Sequence, residues 1–114
     1  MALSTKPFQG IVVTVVTAGT AVAPNPALPD NCHTIIVLNP NAAATVYVAM
    51  VVNAAAFSVA TAVAITAGAS ISLGVGSATR RPVGGTGAGA DVLFCDASVN
   101  GSLVNVTYVN GIAP

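Results

Sequence analysis

The sequence predicts an all-β protein, a jelly-roll-like antiparallel β-sandwich of about eight short strands. Val, Ile and Thr, whose branched side chains favour pleated strands over helices, supply 36 of the 114 residues. Leu supplies only 6, and the helix-favouring Glu, Lys and Gln together supply 2. Eleven Gly and seven Pro divide the chain into short apolar segments, a pattern typical of sandwiches and jelly rolls. We expect one domain over residues 8–114, preceded by a flexible polar arm at residues 1–7.

The first half of the chain contains three predicted strands. Residues 8–17 (FQGIVVTVVT) form the first, and an Ala-Gly-Thr turn ends it. The proline-rich connection at 24–31 cannot pair in the middle of a sheet, because proline lacks the amide hydrogen that a ladder needs. Residues 33–39 (HTIIVLN) predict a buried strand, which an Asn-Pro-Asn turn closes. The next strand is predicted at 45–52.

The middle of the chain is less regular. Residues 53–61 (NAAAFSVAT) fit either a loop with one helical turn or an edge strand. A short strand follows at 63–66, and an Ala-Gly-Ala turn leads into 70–75 (SISLGV). In that segment apolar and small residues alternate, which is the period of a half-buried strand.

The last third holds a long loop and two more predicted strands. Residues 76–89 carry both arginines and a glycine-rich run, so we expect a mobile loop there, with a short strand near 81–83 as one option. Residues 91–95 (DVLFC) predict a strand. The Asn100-Gly101 pair is typical of a β-hairpin turn, and it leads into the alternating strand at 103–109.

Two apolar segments resemble membrane or targeting signals. Residues 46–67 reach the roughly 20 residues that a spanning helix needs. However, their Ala, Thr and Ser are weakly hydrophobic, Asn53 lies among them, and no Lys or Arg flanks them closely. Residues 11–18 after Lys6 resemble a signal peptide, but Pro7 and the interspersed threonines interrupt the pattern. We therefore expect no membrane segment and a protein used without secretion.

Charged residues make up only 5% of the chain, against about 25% in ordinary soluble domains. The only cations are Lys6, Arg80 and Arg81. Three cations cannot line a groove for nucleic acid, and they cannot form a polybasic membrane anchor. A surface so poor in charge resists aggregation only when partners cover much of it. The composition therefore predicts an obligate oligomer or a subunit of a larger assembly.

The few residues that could carry chemistry do not form a recognisable site. His33 is the only histidine, and Asp30 and Cys32 lie near it in the sequence. A zinc site needs three or four ligands, and only Cys95 and Asp96 could complete one. Adjacent residues on a strand point to opposite faces, so a Cys–His catalytic pair is disfavoured. Two isolated cysteines favour buried free thiols, with a disulfide between them left open.

Two further features of the sequence could form binding or catalytic sites. Residues 85–90 (GTGAGA) match a dinucleotide-binding pattern, but that pattern needs a following helix, and here a strand follows. With three aspartates and no glutamate, paired-carboxylate catalysis and a calcium site are also disfavoured. We expect no enzymatic activity, cofactor or metal. Arg80 and Arg81 are either a contact site for a partner's carboxylate or two solvated loop residues.

Six short segments follow one another in a recognisable order. They are 16–22 (VTAGTAV), 31–39 (NCHTIIVLN), 46–48 (VYV), 67–73 (AGASISL), 91–93 (DVL) and 104–109 (VNVTYV). In this order they resemble small β-sandwich virion proteins of tailed bacteriophages, including capsid decoration or cement proteins, which are often trimers of a jelly-roll subunit. Such relatives usually have Gly after the VYV triplet and Pro before the Gly of the later turn, where this chain has Ala49 and Ala67.

The resemblance implies a homotrimer that binds the outside of a phage head and stabilises it by bridging subunits of the major capsid protein. It implies a location on the capsid surface, after assembly in the host cytoplasm. The residues that we expect to contact the shell or sister subunits are Lys6, Phe8, Arg80 and Arg81. The alternatives are a head–tail, fibre or receptor-binding module, whose glycine-rich loop would contact a host glycan, and a small metal-binding or enzymatic protein.

Overall fold

The computed structural model describes residues 7–25, 32–74 and 92–111. These residues form seven strands in two antiparallel sheets, which confirms the predicted all-β sandwich. The strands are β1 (Phe8–Val15), β2 (Cys32–Leu38), β3 (Val46–Val51), β4 (Val63–Ile65), β5 (Ser70–Gly74), β6 (Val92–Ala97) and β7 (Ser102–Asn110). One sheet has the order β1-β7-β2-β5, and the other has the order β4-β3-β6.

The two sheets share one hydrophobic core. In β7 buried and more exposed residues alternate over nine positions, so that Val104, Val106 and Tyr108 point inward. The three-stranded sheet contributes Val46, Val48, Ile65, Leu93 and Cys95 to the same buried cluster. Alternation of this kind places every second side chain of a strand between the sheets.

A single-residue bridge adds a fourth member to the smaller sheet. The amide of Val22 donates to the carbonyl of Cys95 at 2.8 Å, and the amide of Cys95 donates back to the carbonyl of Val22 at 2.8 Å. When this bridge is counted, each of the two sheets contains four antiparallel segments, which makes eight in all. The chain changes sheets after β1, Val22, β2, β4, β5 and β6, which is the connectivity of a jelly roll.

The hairpin predicted at Asn100-Gly101 is wrong. β6 pairs with β3, whereas β7 pairs with β1 and β2, so the turn joins strands of different sheets. The turn is nevertheless tight, and Gly101 has a φ of +77°, a conformation that favours glycine. Its amide donates to the carbonyl of Val15, and the side chain of Asn100 accepts from the amide of Ala18. These bonds tie the turn to the end of β1 instead of closing a ladder between β6 and β7.

The segment that resembled a membrane helix contains β3, a 3₁₀ turn at Ala54–Ala56 and β4. Asn53 caps this turn, since its side chain accepts from the amide of Ala56 at 3.1 Å. This resolves the ambiguous residues 53–61 as a loop with one helical turn. In the described ranges no helix is long and apolar enough to cross a membrane. The optional strand near 81–83 lies outside the described residues.

Candidate functional site

The outer surface of the four-stranded sheet carries no charged side chain and holds half of the exposed large apolar side chains of the described residues. Strand register and burial define it, because residues paired across an antiparallel ladder point to the same side. We call it the neutral face. Its residues are Phe8, Gly10, Val12 and Thr14 of β1, Leu103, Asn105, Thr107 and Val109 of β7, Thr34, Ile36 and Leu38 of β2, and Ser70, Ser72 and Gly74 of β5.

The neutral face combines apolar side chains with uncharged polar ones in rows that cross the sheet. One row runs from Val12 through Asn105 and Leu38 to Ser70. Val12 is 59% exposed and Leu38 is 37% exposed, so both present apolar area to the outside. The polar members of the face are hydroxyl and amide side chains, which can both donate and accept hydrogen bonds.

The described surface exposes no formally charged side chain. Of the Asp, Glu, Lys and Arg residues in the chain, only Asp96 lies within the described ranges, and it is buried. Ordinary soluble domains devote roughly 25–35% of their surface residues to these four types. The described surface therefore depends on Ser, Thr, Asn and backbone groups for its hydration.

Asp96 has a structural role in the turn that follows β1. Its Oδ1 accepts from the amide of Gly19 at 3.0 Å and from the amide of Ala97 at 2.7 Å. The alternation of β6 places Asp96 on the side opposite Cys95 and Ala97, which belong to the core. The carboxylate therefore holds the turn at residues 17–20 against the outside of the three-stranded sheet.

Of the residues that could form a metal or catalytic site, the structure describes Cys32, His33, Cys95 and Asp96, and Asp30 lies outside the described ranges. Within the described ranges no three His, Cys, Asp or Glu side chains lie close enough together to hold a metal ion. His33 lies in β2, where its Nδ1 is 2.9 Å from the hydroxyl of Thr34. Cys32 and Cys95 are buried and form no disulfide, as expected of cysteines that behave as small hydrophobes.

The Cys95 thiol is expected to be unreactive in the folded protein. Burial raises its pKa from an ordinary value of 9.0 to about 12, and the thiolate is the form that reacts. At pH 8 the thiolate fraction is then on the order of 10⁻⁴. We expect labelling by an aromatic disulfide reagent, followed by absorbance, to be at least about 100-fold slower in native protein than in protein unfolded by guanidinium.

The same shift predicts a loss of stability at alkaline pH. The folded pKa of Cys95 lies above the unfolded value. The stability that its protonated thiol contributes to the folded protein is therefore complete below pH 9 and is lost as pH rises toward 12. Burial, and then the charge of Cys32, also raise the pKa of Tyr108. Cys95→Ala should therefore reduce the alkaline loss without abolishing it. Both predictions depend on the burial of the Cys95 thiol. Equal rates of thiol labelling in native and unfolded protein would contradict that burial.

A shallow cleft of about 270 Å³ lies between the loops at residues 41–44 and 99–102. Its lining consists of small, aliphatic and amide side chains, with neither an aromatic ring nor a carboxylate. Glycan-binding sites use such rings and polar groups to orient a sugar. The cleft itself therefore offers no such ring, and the glycine-rich loop that the glycan-binding alternative relies on lies outside the described residues.

Of the four residues expected to make contacts, only Phe8 lies in the described part of the chain. It is the first residue of β1, it is 66% exposed, and its Cα partner on the neutral face is Val109. Lys6, Arg80 and Arg81 lie outside the described ranges. The neutral face cannot be recognised from the sequence, because its rows combine residues up to about 100 positions apart along the chain, such as Val12 and Asn105.

No protein-family model, no curated protein and no solved structure matched the chain.

Proposed function

We propose that this protein is a capsid decoration protein of a tailed bacteriophage. It binds the outside of the head shell as a homo-oligomer, a trimer by resemblance, and stabilises the shell by bridging major capsid subunits. One observation carries the proposal. The described surface exposes ten large apolar side chains and no charged one, as expected of a subunit that works inside an assembly.

The proposed mechanism is multivalent burial of neutral surface. Each apolar Å² removed from water contributes roughly 25 cal/mol, so a single modest contact holds a subunit only weakly. Copies that are linked to one another bind the shell with a high effective concentration, and their combined attachment is stronger than that of each copy alone. Such a protein needs exposed neutral surface and a rigid scaffold, and a jelly-roll sandwich supplies both.

The test compares virus particles that contain the protein with particles made without its gene. We expect the complete particles to open at a higher temperature and to resist chelators longer, and added purified protein should restore both properties. Equal heat and chelator resistance of the two particles would contradict the cementing role. An unrelated β-sandwich protein of similar size serves as the control for the addition.

The proposed shell contacts are tested in the same assay. Replacing Arg80 and Arg81 together by alanine should weaken binding of the purified protein to bare particles while its own oligomeric mass stays unchanged. A loss of the oligomer in this double variant would place the arginines between copies of the chain instead.

A further inference from the structure

We propose that the neutral face is the surface through which copies of this chain associate. The inference rests on the proposed function only in its premise that the protein works as a homo-oligomer. Five of the ten exposed large apolar side chains in the described ranges lie on this face, and the other five lie in connections or on β4. The five on the face are Phe8, Val12, Ile36, Leu38 and Leu103.

Four of the five apolar side chains form a band across the sheet, and Phe8 lies apart from them at the start of β1. Val12 and Leu38 lie in one row, separated by Asn105 of the central strand β7. Leu103 is the diagonal neighbour of Val12, and Ile36 precedes Leu38 by two residues on the same side of β2. Diagonal neighbours lie about 7–8 Å apart, which is within reach of large side chains. The band therefore crosses three of the four strands.

The plan area of the neutral face can be compared with the area that protein interfaces bury. Four strands about 4.8 Å apart, with about seven residues of roughly 3.3 Å each, give a plan area on the order of 400 Å². Side chains that stand above the sheet make the accessible area larger than the plan. The plan area alone is therefore about half of the roughly 800 Å² that each partner contributes to a standard interface.

The chemistry of the face favours a second copy of this chain as the occupant. A charged partner would find no complementary charge among its residues, whereas a second copy presents the same neutral chemistry and meets no like-charge repulsion. Asn105 and Thr107 lie at the centre, and their side chains can hydrogen-bond to the uncharged polar side chains of another copy, because each both donates and accepts.

The test places a charge on the face and the same charge elsewhere. Val12→Lys and Leu38→Lys alter the neutral face, and Val52→Lys is the matched control, because Val52 is 57% exposed and Val12 is 59% exposed. We expect native mass spectrometry to show an oligomer for the wild type and for Val52→Lys. Both face variants should dissociate to single chains, with association weakened by roughly 100-fold or more. Circular dichroism and protection of the Cys95 thiol confirm that each variant is folded.

Face variants that are folded and keep the wild-type mass would overturn the inference. A second result would also overturn it: the wild type is monomeric and binds neutral phosphatidylcholine vesicles, and both face variants lose this binding. The face would then contact lipid instead of a second copy. The shell assay separates the two proposals. An oligomer that depends on the face but fails to stabilise particles would leave this inference standing and overturn the decoration role. If the protein stabilises particles and both face variants keep the wild-type oligomer, the decoration role would stand and this inference would be overturned.

Discussion

Replacing Asn39 with alanine is expected to destabilise the protein by about 3–4 kcal/mol, because the side chain makes four hydrogen bonds in a fully buried position. Its Nδ2 donates to the carbonyls of Ala44 and Ile65, each at 2.8 Å. Its Oδ1 accepts from the backbone amide of Asn41 at 3.0 Å and from the side-chain amide of the same residue at 2.7 Å. Alanine would leave these groups without their partner.

The cost is large because Asn39 connects both sheets at one end of the sandwich. It follows β2 of the four-stranded sheet, and its two carbonyl partners belong to the segments around β3 and β4. Asn41 extends the network, since its Nδ2 donates to the carbonyl of Leu103 and its Oδ1 accepts from the amide of Leu103. Loss of one side chain therefore loosens several connections together.

Urea unfolding at one fixed protein concentration measures the effect, because association also changes the apparent stability. Asn53→Ala is the matched control. Asn53 is exposed and caps only the 3₁₀ turn, so its loss should cost about 1 kcal/mol or less. Equal stability of the Asn39→Ala and Asn53→Ala variants would refute the structural role of Asn39.

Asn39 also shows where prediction from sequence ends. Local chemistry predicts a turn at Asn-Pro-Asn, because proline and asparagine favour turns by themselves, and the side chain of Asn39 does accept from the amide of Asn41. The bond from Asn39 to Ile65 joins residues 26 positions apart, and no local pattern indicates it. The strands themselves were predictable, since alternation in segments such as β7 is a local property.

The neutral face lies between these two cases. The alternation of Leu103, Asn105, Thr107 and Val109 was visible in the sequence, so one column of the face was predictable. Its neighbours depend on topology, which places β7 between β1 and β2. The wrong hairpin at Asn100-Gly101 has the same origin, because a turn motif does not specify which sheet receives the next strand. The bridge at Val22 was not predicted either, because a single paired residue shows no alternation of apolar and polar positions in the sequence.

Asp96→Ala is expected to cost about 3 kcal/mol, because a buried carboxylate that accepts two amide hydrogens at 2.7 and 3.0 Å is removed. The loss should be felt first in the turn after β1, where the amide of Gly19 would lose its acceptor. Native-state hydrogen exchange should then show faster exchange at Gly19, while the Val104 and Val106 amides of the central strand keep their protection relative to global unfolding.

Asp96→Asn separates hydrogen bonding from charge. The asparagine oxygen can still accept from both amides, so this variant should retain more than half of the stability that alanine loses. A merely space-filling role for Asp96 predicts a different result, in which the asparagine variant matches the wild type and the exchange rate at Gly19 is unchanged in both variants. The hydrogen-bonding role instead requires that exchange at Gly19 follow the order alanine, asparagine, wild type. Because Val22 pairs with Cys95 just beyond this turn, its bridge should weaken in the same order.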